Sequence, residues 1–443
     1  MIDFIHPSIK AHEHQVKLVN QINNGIDSAK ELIYKKTHEY NEVFEQRIKN
    51  SILVNFVKKI VQIQNGLINR KDPVYKGFSA SQEKDFENIS GNNNLIQFIS
   101  DFTKSVALNS KAYILVDIPE DSKTPELNII ERSRLINYKK NSNGVFTLAV
   151  IIEAYSEYID EFSFETKMQY RVIDETGNVR IYRDEKLYET IITSYNFCPF
   201  FEADVSDVPI LYDIAKINAL HLIFNSNQND YVLESLDPFL FGKALGVGSN
   251  QTLDGEDETP KPVITAGVRN MSTSENESSD IKWIELNSSG NYEISSKHIL
   301  KLEDEIANGA IKLVSNDGTS NSATEANIDN VEKGSLLVQI VLEVENAIND
   351  SLNAYFLMKN NTKSNGIVSI NRDFTIQEVS DAFITGLNSL QVAGNLSKET
   401  LIKTLQDKEV IDIISVDDEL KKISKESVEY AESMTVDSPD VRA

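Results

Sequence analysis

The chain has 443 residues, 40% of them apolar and 25% charged, which is the composition of a globular protein of roughly two to four domains. Acidic residues outnumber basic ones by 68 to 44, and the resulting net charge of −24 excludes an ordinary nucleic-acid-binding protein with a basic face. The single cysteine, Cys198, excludes an internal disulfide framework and a multi-cysteine zinc site. The sequence contains no run of about 18 apolar residues, so no membrane span is predicted.

The first hundred residues are predicted to be mainly helical. Residues 10–69 carry apolar residues at helical spacing, and Pro73 follows where a helix cannot continue. A further helix is predicted from Asn94 to Ala107. The first residues, MIDFIHPSIKAHEHQ, lack the basic and apolar segments of a secretory signal, so we expect none here.

The pattern then changes from helical to strand periodicity. Short β-branched and aromatic runs occur at residues 112–118, 127–131, 145–152, 167–173 and 178–182. Turn residues such as Pro119, Asn143-Gly144 and Thr176-Gly177-Asn178 separate them. This alternation predicts an antiparallel meander.

Helical spacing returns at Val208, with Pro209 suited to a first helical position, and continues to about Leu233 before Asp237-Pro238 breaks it. Residues 242–292 are irregular and rich in Gly, Ser, Asn and acidic residues, with short strands predicted at 263–266 and 281–286. Because this stretch is too long for an ordinary connection, it predicts a small projecting subdomain. Residues 294–314 are again predicted to be helical.

A polar run, SNDGTSN at residues 315–321, leads into a predicted helix of about 35 residues. The apolar face of this helix recurs at steps of three and four, at Leu337, Val341, Val344, Ile348, Leu352 and Phe356. Two interpretations fit: a finger that reaches into the channel of a ring, or a surface loop before a core helix. After residues 368–374, helices are predicted at 379–392 and 397–405, followed by an acidic tail.

No catalytic pattern is evident. The phosphate loop, the Gly-x-Ser-x-Gly nucleophile elbow and the His-Glu-x-x-His pair are all missing from the sequence. His12 and His14 are alternate residues of a predicted helix and do not converge on one ion. His221 and His298 are predicted to be core or interface histidines, and Cys198 a buried thiol. We therefore expect neither an enzyme nor a cofactor or metal site.

Four stretches in this order resemble the portal proteins of tailed bacteriophages, the head-to-tail connectors of the siphovirus type. They are VPILYDIAKINALHLIFNSNQNDYVLESLDPFLFGK (208–243), ILKLEDEIANGAIKLV (299–314), SATEANI with the long helix behind it, and VSINRDF followed by GNLSKETLIKTL. Each stretch is degenerate by itself. Together they cover about the last 235 residues, whereas the first 200 are similar only in their order of helices and strands.

The resemblance implies an α+β, portal-like fold. Residues 1–207 correspond to a wing of helices and antiparallel strands, 208–235 and 293–314 to two stem helices, and 236–292 between them to a small α/β clip. Residues 315–321 correspond to the tunnel loop, 322–374 to the long wing helix and a return strand, and 375–443 to a short helical crown with the acidic tail.

The resemblance also implies a function. A protein of this family would be structural and non-enzymatic, and about twelve copies would form a ring at one capsid vertex of a virion assembled in the host cytoplasm. Double-stranded DNA would be packaged and ejected through the ring. The expected partners are other copies of the chain, DNA bound without sequence preference, a terminase, a head-tail adaptor, and major capsid and scaffolding proteins, with no membrane.

The candidate functional residues follow from the same mapping. The tunnel loop comprises Ser315, Asn316, Asp317, Gly318, Thr319, Ser320 and Asn321. It contains no Lys or Arg, which favours a sleeve or valve over a DNA grip. In the clip, Lys243, Lys261, Arg269, Lys282 and Trp283 are candidates for contacts with terminase, a connector or a neighbouring subunit, although each basic residue fits a solvated surface equally well.

The acidic charge suits a channel wall that DNA passes without being bound, or it serves solubility alone. Two other functions stay open: a different viral head or baseplate structural protein, and a hydrolase or transferase that uses carboxylates without a recognisable motif.

Overall fold

The structure is a computed structural model that describes residues 2–37, 39–119, 124–193, 195–236, 239–243, 280–284, 289–314, 323–372, 374, 381–407 and 419–425. Its residues group into two compact units, Met1–Arg372 and Asp373–Ala443. The larger unit mixes helices and sheets, so the α+β class expected from the sequence is present. The division into wing, stem, clip and crown stays a prediction.

In the first unit, most helices lie in the N-terminal part of the chain, before the long run of strands, and in the C-terminal part, after it. Their bounds in the first unit are α1 (Pro7–Asn23), α2 (Ile26–Ala29), α3 (Asn41–Lys49), α4 (Phe56–Ile68), α5 (Ala80–Asp85), α6 (Leu95–Asn109), α7 (Tyr212–Leu236), α8 (Ser289–Val314) and α9 (Ala323–Asn360). The predicted helical region 10–69 is thus several helices, and the predicted helix 94–107 is confirmed as α6.

Side-chain caps fix where the N-terminal helices begin. Asn55 accepts a hydrogen bond from the Lys58 backbone N–H at the start of α4, and Asn94 does the same for α6. The helices bury one apolar cluster that includes Val19, Val57 and Leu222. This cluster joins α1, α4 and α7 across nearly two hundred residues of sequence.

The strands form four sheets within the described residues. Their bounds are β1 (Val74–Lys76), β2 (Lys111–Asp117), β3 (Glu126–Glu131), β4 (Leu135–Lys140), β5 (Phe146–Tyr158), β6 (Phe164–Asp174), β7 (Val179–Arg183), β8 (Lys186–Ile191), β9 (Phe200–Asp204), β10 (Phe239–Lys243), β11 (Asp280–Ile284) and β12 (Ile367–Ser369). All the pairings are antiparallel.

The predicted meander is only partly correct. Strands β4 to β8 do follow one another in a five-stranded meander, but β2 and β3 belong to a separate three-stranded sheet of order β3-β2-β9. The sequence analysis overlooked β4, β8 and β9, whose short sequences LINYKK, KLYETI and FFEAD are interrupted by charged residues. Periodicity is a weak signal in such short, half-exposed strands.

The long helix α9 packs its C-terminal half into the core of the first unit. The six apolar residues predicted to form its inner face are all buried, none more than 3% exposed: Leu337, Val341, Val344, Ile348, Leu352 and Phe356. This face lies against α6, β2 and β9. The expected inner face is confirmed, and the return strand predicted at 368–374 is the three-residue strand β12, which pairs with β1.

Among the described residues of the second unit, helices α10 (Asp381–Val392) and α11 (Lys398–Asp407) contact each other. Gly394 in their connection has φ +78°, which a glycine adopts without strain, and Ser397 caps α11 by accepting from the Thr400 N–H. Both helices were predicted, with bounds within three residues.

Candidate functional site: the α7–α8 pair and the start of α9

Helices α7 and α8 run antiparallel and contact each other along most of their length. Ile214 lies beside Gly309, where an added Cβ would be 3.6 Å from the Ile214 Cγ1. Farther along, His221 contacts Glu303, Phe224 contacts His298, and Gln228 donates to the Ser296 hydroxyl at 2.7 Å. The position on α8 falls steadily as the position on α7 rises, which defines an antiparallel hairpin of helices.

The inner face of α7 carries buried polar residues. Asn218 is fully buried, donates to the Val54 carbonyl at 2.9 Å and accepts from the Phe56 N–H at 3.0 Å. His221 is 1% exposed, with its Nε2 3.0 Å from the Glu303 carboxylate. Since buried polar groups are costly without partners, these bonds fix the position of α7 against α4 and α8.

A buried ion pair holds the end of α3 against the same helix. The Arg47 guanidinium donates to both oxygens of Glu39, at 2.7 and 2.8 Å, and to the Tyr34 carbonyl at 2.9 Å. Its third nitrogen lies 3.4 Å from the Ser226 hydroxyl of α7, which also accepts from Ser51. The Arg47 side chain is 1% exposed and that of Glu39 is 4% exposed.

The hydrogen bonds from Arg47 lower the pKa of Glu39 from 4.5 to about 2, against the opposing effect of its burial. The same pairing raises the pKa of Arg47. Both groups are therefore charged near neutral pH. This pair could not be predicted from the sequence, because Arg47 and Glu39 look like ordinary surface charges and Ser226 is 179 residues away.

Two connections emerge from this helix pair, and most of their predicted functional residues lie outside the described residues. These include the complete tunnel loop, Ser315–Asn321, together with Lys261 and Arg269. The remaining three are placed on the β10–β11 hairpin: Lys243 pairs with Asp280, Lys282 with Phe241, and Trp283 with Leu240. The hairpin brings Lys243, Lys282 and Trp283 within one two-stranded ribbon.

The other residues considered for chemistry do not assemble into a catalytic site. His12 bonds to Gln15 within α1, and His14 lies against Tyr212. Cys198 is buried among apolar residues, and burial raises the pKa of its thiol to about 12. Among the residues with described positions, no three His, Cys, Asp or Glu side chains could hold a metal ion together, and no helix is long and apolar enough to cross a membrane.

A cleft of about 430 Å³ lies between α1 and the turn after β3, a site that the sequence analysis did not anticipate. Amide side chains such as Asn20 and Gln21 line it with Arg132 and two glutamates, Glu13 and Glu131. Arg132 donates to the backbone carbonyls of Asn109 and Asp207, and burial lowers its pKa. Its guanidinium therefore ties the turn after β3 to the end of α6 and to the segment after β9.

One comparison with known proteins covers the same segment. A family model described as a domain of unknown function, DUF4055, matches residues 210–356, about a third of the chain, and spans α7 to α9. No curated protein sequence matches. Among solved structures, the chain is similar to one from the virion of a native gene transfer agent (GTA) particle, at 10% identity and a TM-score of 0.38, over 83% of this chain and 94% of that one.

Two further structures come from the neck of GTA particles. One, from an empty particle computed with C6 symmetry, has 10% identity and a TM-score of 0.33 over 83% and 92% of the two chains. The other, from a native particle computed with C12 symmetry, has 11% identity and a TM-score of 0.33 over 79% and 89%. At these scores the likeness does not establish a common fold, and the family model that matches this chain carries no function.

Proposed function

We propose that this chain is a non-enzymatic virion protein of the bacteriophage portal type, which assembles into a ring around a channel for double-stranded DNA. The observation that carries the proposal is the antiparallel α7–α8 pair, with residues 237–288 between its two helices and a 38-residue helix that begins at Ala323 after it. That order of elements is the one the sequence resemblance requires of stem, clip, tunnel loop and wing helix.

The lengths of these helices suit a channel wall. At about 1.5 Å per residue, α7 and α8 are each roughly 37–39 Å long, and α9 is about 57 Å long. The pair is anchored on one side by Asn218, Ser226 and the Arg47–Glu39 ion pair. A helix pair that is held this firmly along one side can serve as a rigid wall while the segments at its ends contact other molecules.

The exposed side of α8 supports passage of DNA over binding of DNA. Two of its lysines lie near glutamates of the same helix, Lys297 at 3.8 Å from Glu293 and Lys301 at 3.7 Å from Glu305. Lysines shared with carboxylates, in a chain of net charge −24, offer phosphates little attraction. DNA then moves along the wall without being held.

In the proposed assembly, energy for packaging comes from a separate terminase that docks on the clip through residues such as Lys243, Lys261, Arg269, Lys282 and Trp283. The tunnel loop, Ser315–Asn321, acts as a sleeve or valve. Head-tail adaptor, capsid and scaffolding proteins contact the outer parts of the ring at the capsid vertex. The chain itself contributes no catalytic step.

Negative-stain electron microscopy of the purified full chain tests the ring. We expect particles with a central hole and about twelvefold symmetry, alone or after co-expression with the expected scaffolding and capsid partners. A monomer to tetramer under both conditions, measured by light scattering on a sizing column, contradicts the proposal.

A further inference from the structure

The far end of the five-stranded sheet is a two-stranded ribbon that extends beyond its neighbours. Strand β4 pairs with β5 only as far as Ile151, and β7 pairs with β6 only from Gln169. Residues 154–168, here called the acidic arm, therefore have no third strand beside them within the described part of the chain. Of these 15 residues 13 are exposed, and a two-stranded ribbon alone is marginally stable in water.

The acidic arm exposes large apolar side chains around its turn. Phe162 is 91% exposed, Tyr158 is 75% exposed, and Ile159, Phe164 and Met168 are each more than half exposed. A concentration of aromatic and aliphatic surface at the tip of a projecting ribbon is typical of a surface that another protein covers.

The charge of the acidic arm limits which kind of molecule can bind to it. It carries Glu157, Asp160, Glu161 and Glu165 against one basic residue, Lys167, which is itself paired with Glu157. Because like charges repel, the acidic arm disfavours binding of nucleic acid and binding of a second acidic arm. The complementary surface must therefore combine exposed apolar side chains with lysine or arginine.

This chain has such a surface in spite of its net charge. Residues 30–63, here called the basic helical face, expose six lysines and three glutamates, while Arg47 and Glu39 neutralise each other inside. Lys30 is already paired with Asp27 and Lys36 with Asp230, so an acidic partner would meet mainly Lys35, Lys49, Lys58 and Lys59. The face also exposes Tyr34, Tyr40, Ile52 and Ile63, each at least half exposed. The apolar cluster of α1, α4 and α7 lies directly beneath.

The start of α4 adds a reason for an acidic partner. Lys58 and Lys59 lie in its first turns, where the helix macrodipole disfavours positive charge, and the first turn contains no acidic residue. Both lysines are exposed. A carboxylate supplied by another molecule would interact favourably with the helix dipole and with the charges of both lysines.

We infer that the acidic arm of one copy binds the basic helical face of a second copy of this chain. Because the two surfaces differ, the contact is head-to-tail, and repeating it closes a ring when the rotation between copies fits. The inference rests on the proposed ring and identifies one contact that holds neighbouring copies together.

Cysteine cross-linking tests the contact, since the native Cys198 is buried. Separately purified Phe162→Cys and Tyr40→Cys proteins are mixed and treated with a short bis-maleimide linker. We expect a covalent dimer in the mixture and little in either protein alone. The control replaces Tyr40→Cys by Val145→Cys, which changes a 54% exposed residue outside both surfaces and should give no dimer. No dimer from the first mixture, or equal dimer from each single variant, overturns the inference.

Charge reversal provides an independent measurement. Glu161→Lys should raise the concentration for half-assembly at least tenfold in sedimentation velocity, and adding Lys59→Glu in the same chain should restore most of the loss. Glu175→Lys, at an exposed site outside the arm, should have little effect. Equal effects of Glu161→Lys and Glu175→Lys contradict the contact.

Electron microscopy of the same samples separates the two proposals. Wild-type rings that persist in the Glu161→Lys protein, with no cross-link between Phe162→Cys and Tyr40→Cys, refute this contact and leave the ring intact. Wild-type protein that forms no ring with any partner refutes the proposed function, and the cross-link still reports whether two copies meet as inferred.

Discussion

The ion pair between Glu39 and Arg47 is the contact whose loss we expect to cost most at a single residue. Glu39→Gln leaves the Arg47 charge buried without a counter-ion, which costs about 3–5 kcal/mol of unfolding free energy. Urea denaturation of the full chain measures the change. Glu42→Gln, an exposed neighbour on α3, is the matched control, with an expected change within about 0.5 kcal/mol. Equal changes in the two variants contradict the buried role.

The same pair predicts a pH dependence. The pKa of Glu39 is about 2 in the folded chain, below its ordinary value of 4.5, so the charged form stabilises the fold. This contribution is complete above pH 4.5 and is lost as the pH falls towards 2. The difference in unfolding free energy between wild type and Glu39→Gln should therefore shrink over that window. A difference that stays constant from pH 6 to pH 3 contradicts the assigned pKa.

Gly177 is a glycine at which a side chain is tolerated poorly. It has φ +79°, and an added Cβ would lie 2.7 Å from the Phe197 carbonyl oxygen and from the Tyr195 ring. Gly177→Ala therefore combines backbone strain with a steric clash. Gly144 has nearly the same φ, +80°, with no atom within 4 Å of the added Cβ.

Comparing Gly177→Ala with Gly144→Ala by thermal unfolding separates the two costs. The Gly144 change should cost about 1 kcal/mol for backbone strain alone, and the Gly177 change about 1–3 kcal/mol more. Equal shifts in melting temperature would show that the surroundings of Gly177 yield to a methyl group.

At the scale of elements, the Asn349 side chain of α9 forms hydrogen bonds with the backbone of strand β12, as a neighbouring strand would. Its amide donates to the Val368 carbonyl at 3.0 Å and accepts from the Val368 N–H at 2.8 Å, on the same strand that pairs with β1. Asn349→Ala should cost about 1–3 kcal/mol and reduce hydrogen-exchange protection at residues 367–370. Asn353→Ala, one turn later in the same helix, should leave that protection unchanged; equal loss in both variants contradicts the role of Asn349.

Sequence periodicity predicted elements well where one face is strongly apolar. The inner face of α9 was identified residue by residue because its six apolar positions recur over five turns. Helix α7 was also found, but its buried polar residues Asn218 and Ser226 were not, since only tertiary partners make them core residues. The separate sheet of β2, β3 and β9 was not predicted either. Strand order depends on pairing between residues far apart in the sequence, which the local alternation of apolar and polar residues does not encode.

The candidate site was predictable only in outline. The two long helices and the third helix after them follow from helix spacing, and the segments that separate them follow from the polar composition of residues 242–292 and 315–321. The anchoring of α7 by Arg47 was not predictable, because charged residues on a short helix usually face solvent. The exposed tip of the acidic arm also required the structure, since its aromatic residues resemble those of a buried strand.

For the whole molecule, the tunnel loop gives a prediction that rests on the proposed function. In phage particles carrying Asp317→Ala or Gly318→Val, we expect packaging or retention of DNA to fall, measured as encapsidated DNA per particle. The same changes should leave the ring unaltered in electron micrographs. Full packaging in particles whose residues 315–321 are replaced by an unrelated polar sequence contradicts a channel position for this loop.

The pairing of β1 with β12 has a consequence for how the chain is made. Tyr75 meets Val368, so a strand near the beginning waits for residues almost three hundred positions later. At about 5–20 residues per second, synthesis takes roughly 15 to 60 s to supply that partner. During this interval β1 presents an unpaired edge, and the α9 core contacts are missing as well. The first unit therefore completes only when nearly all of the chain has left the ribosome, which delays assembly between copies until synthesis is almost finished.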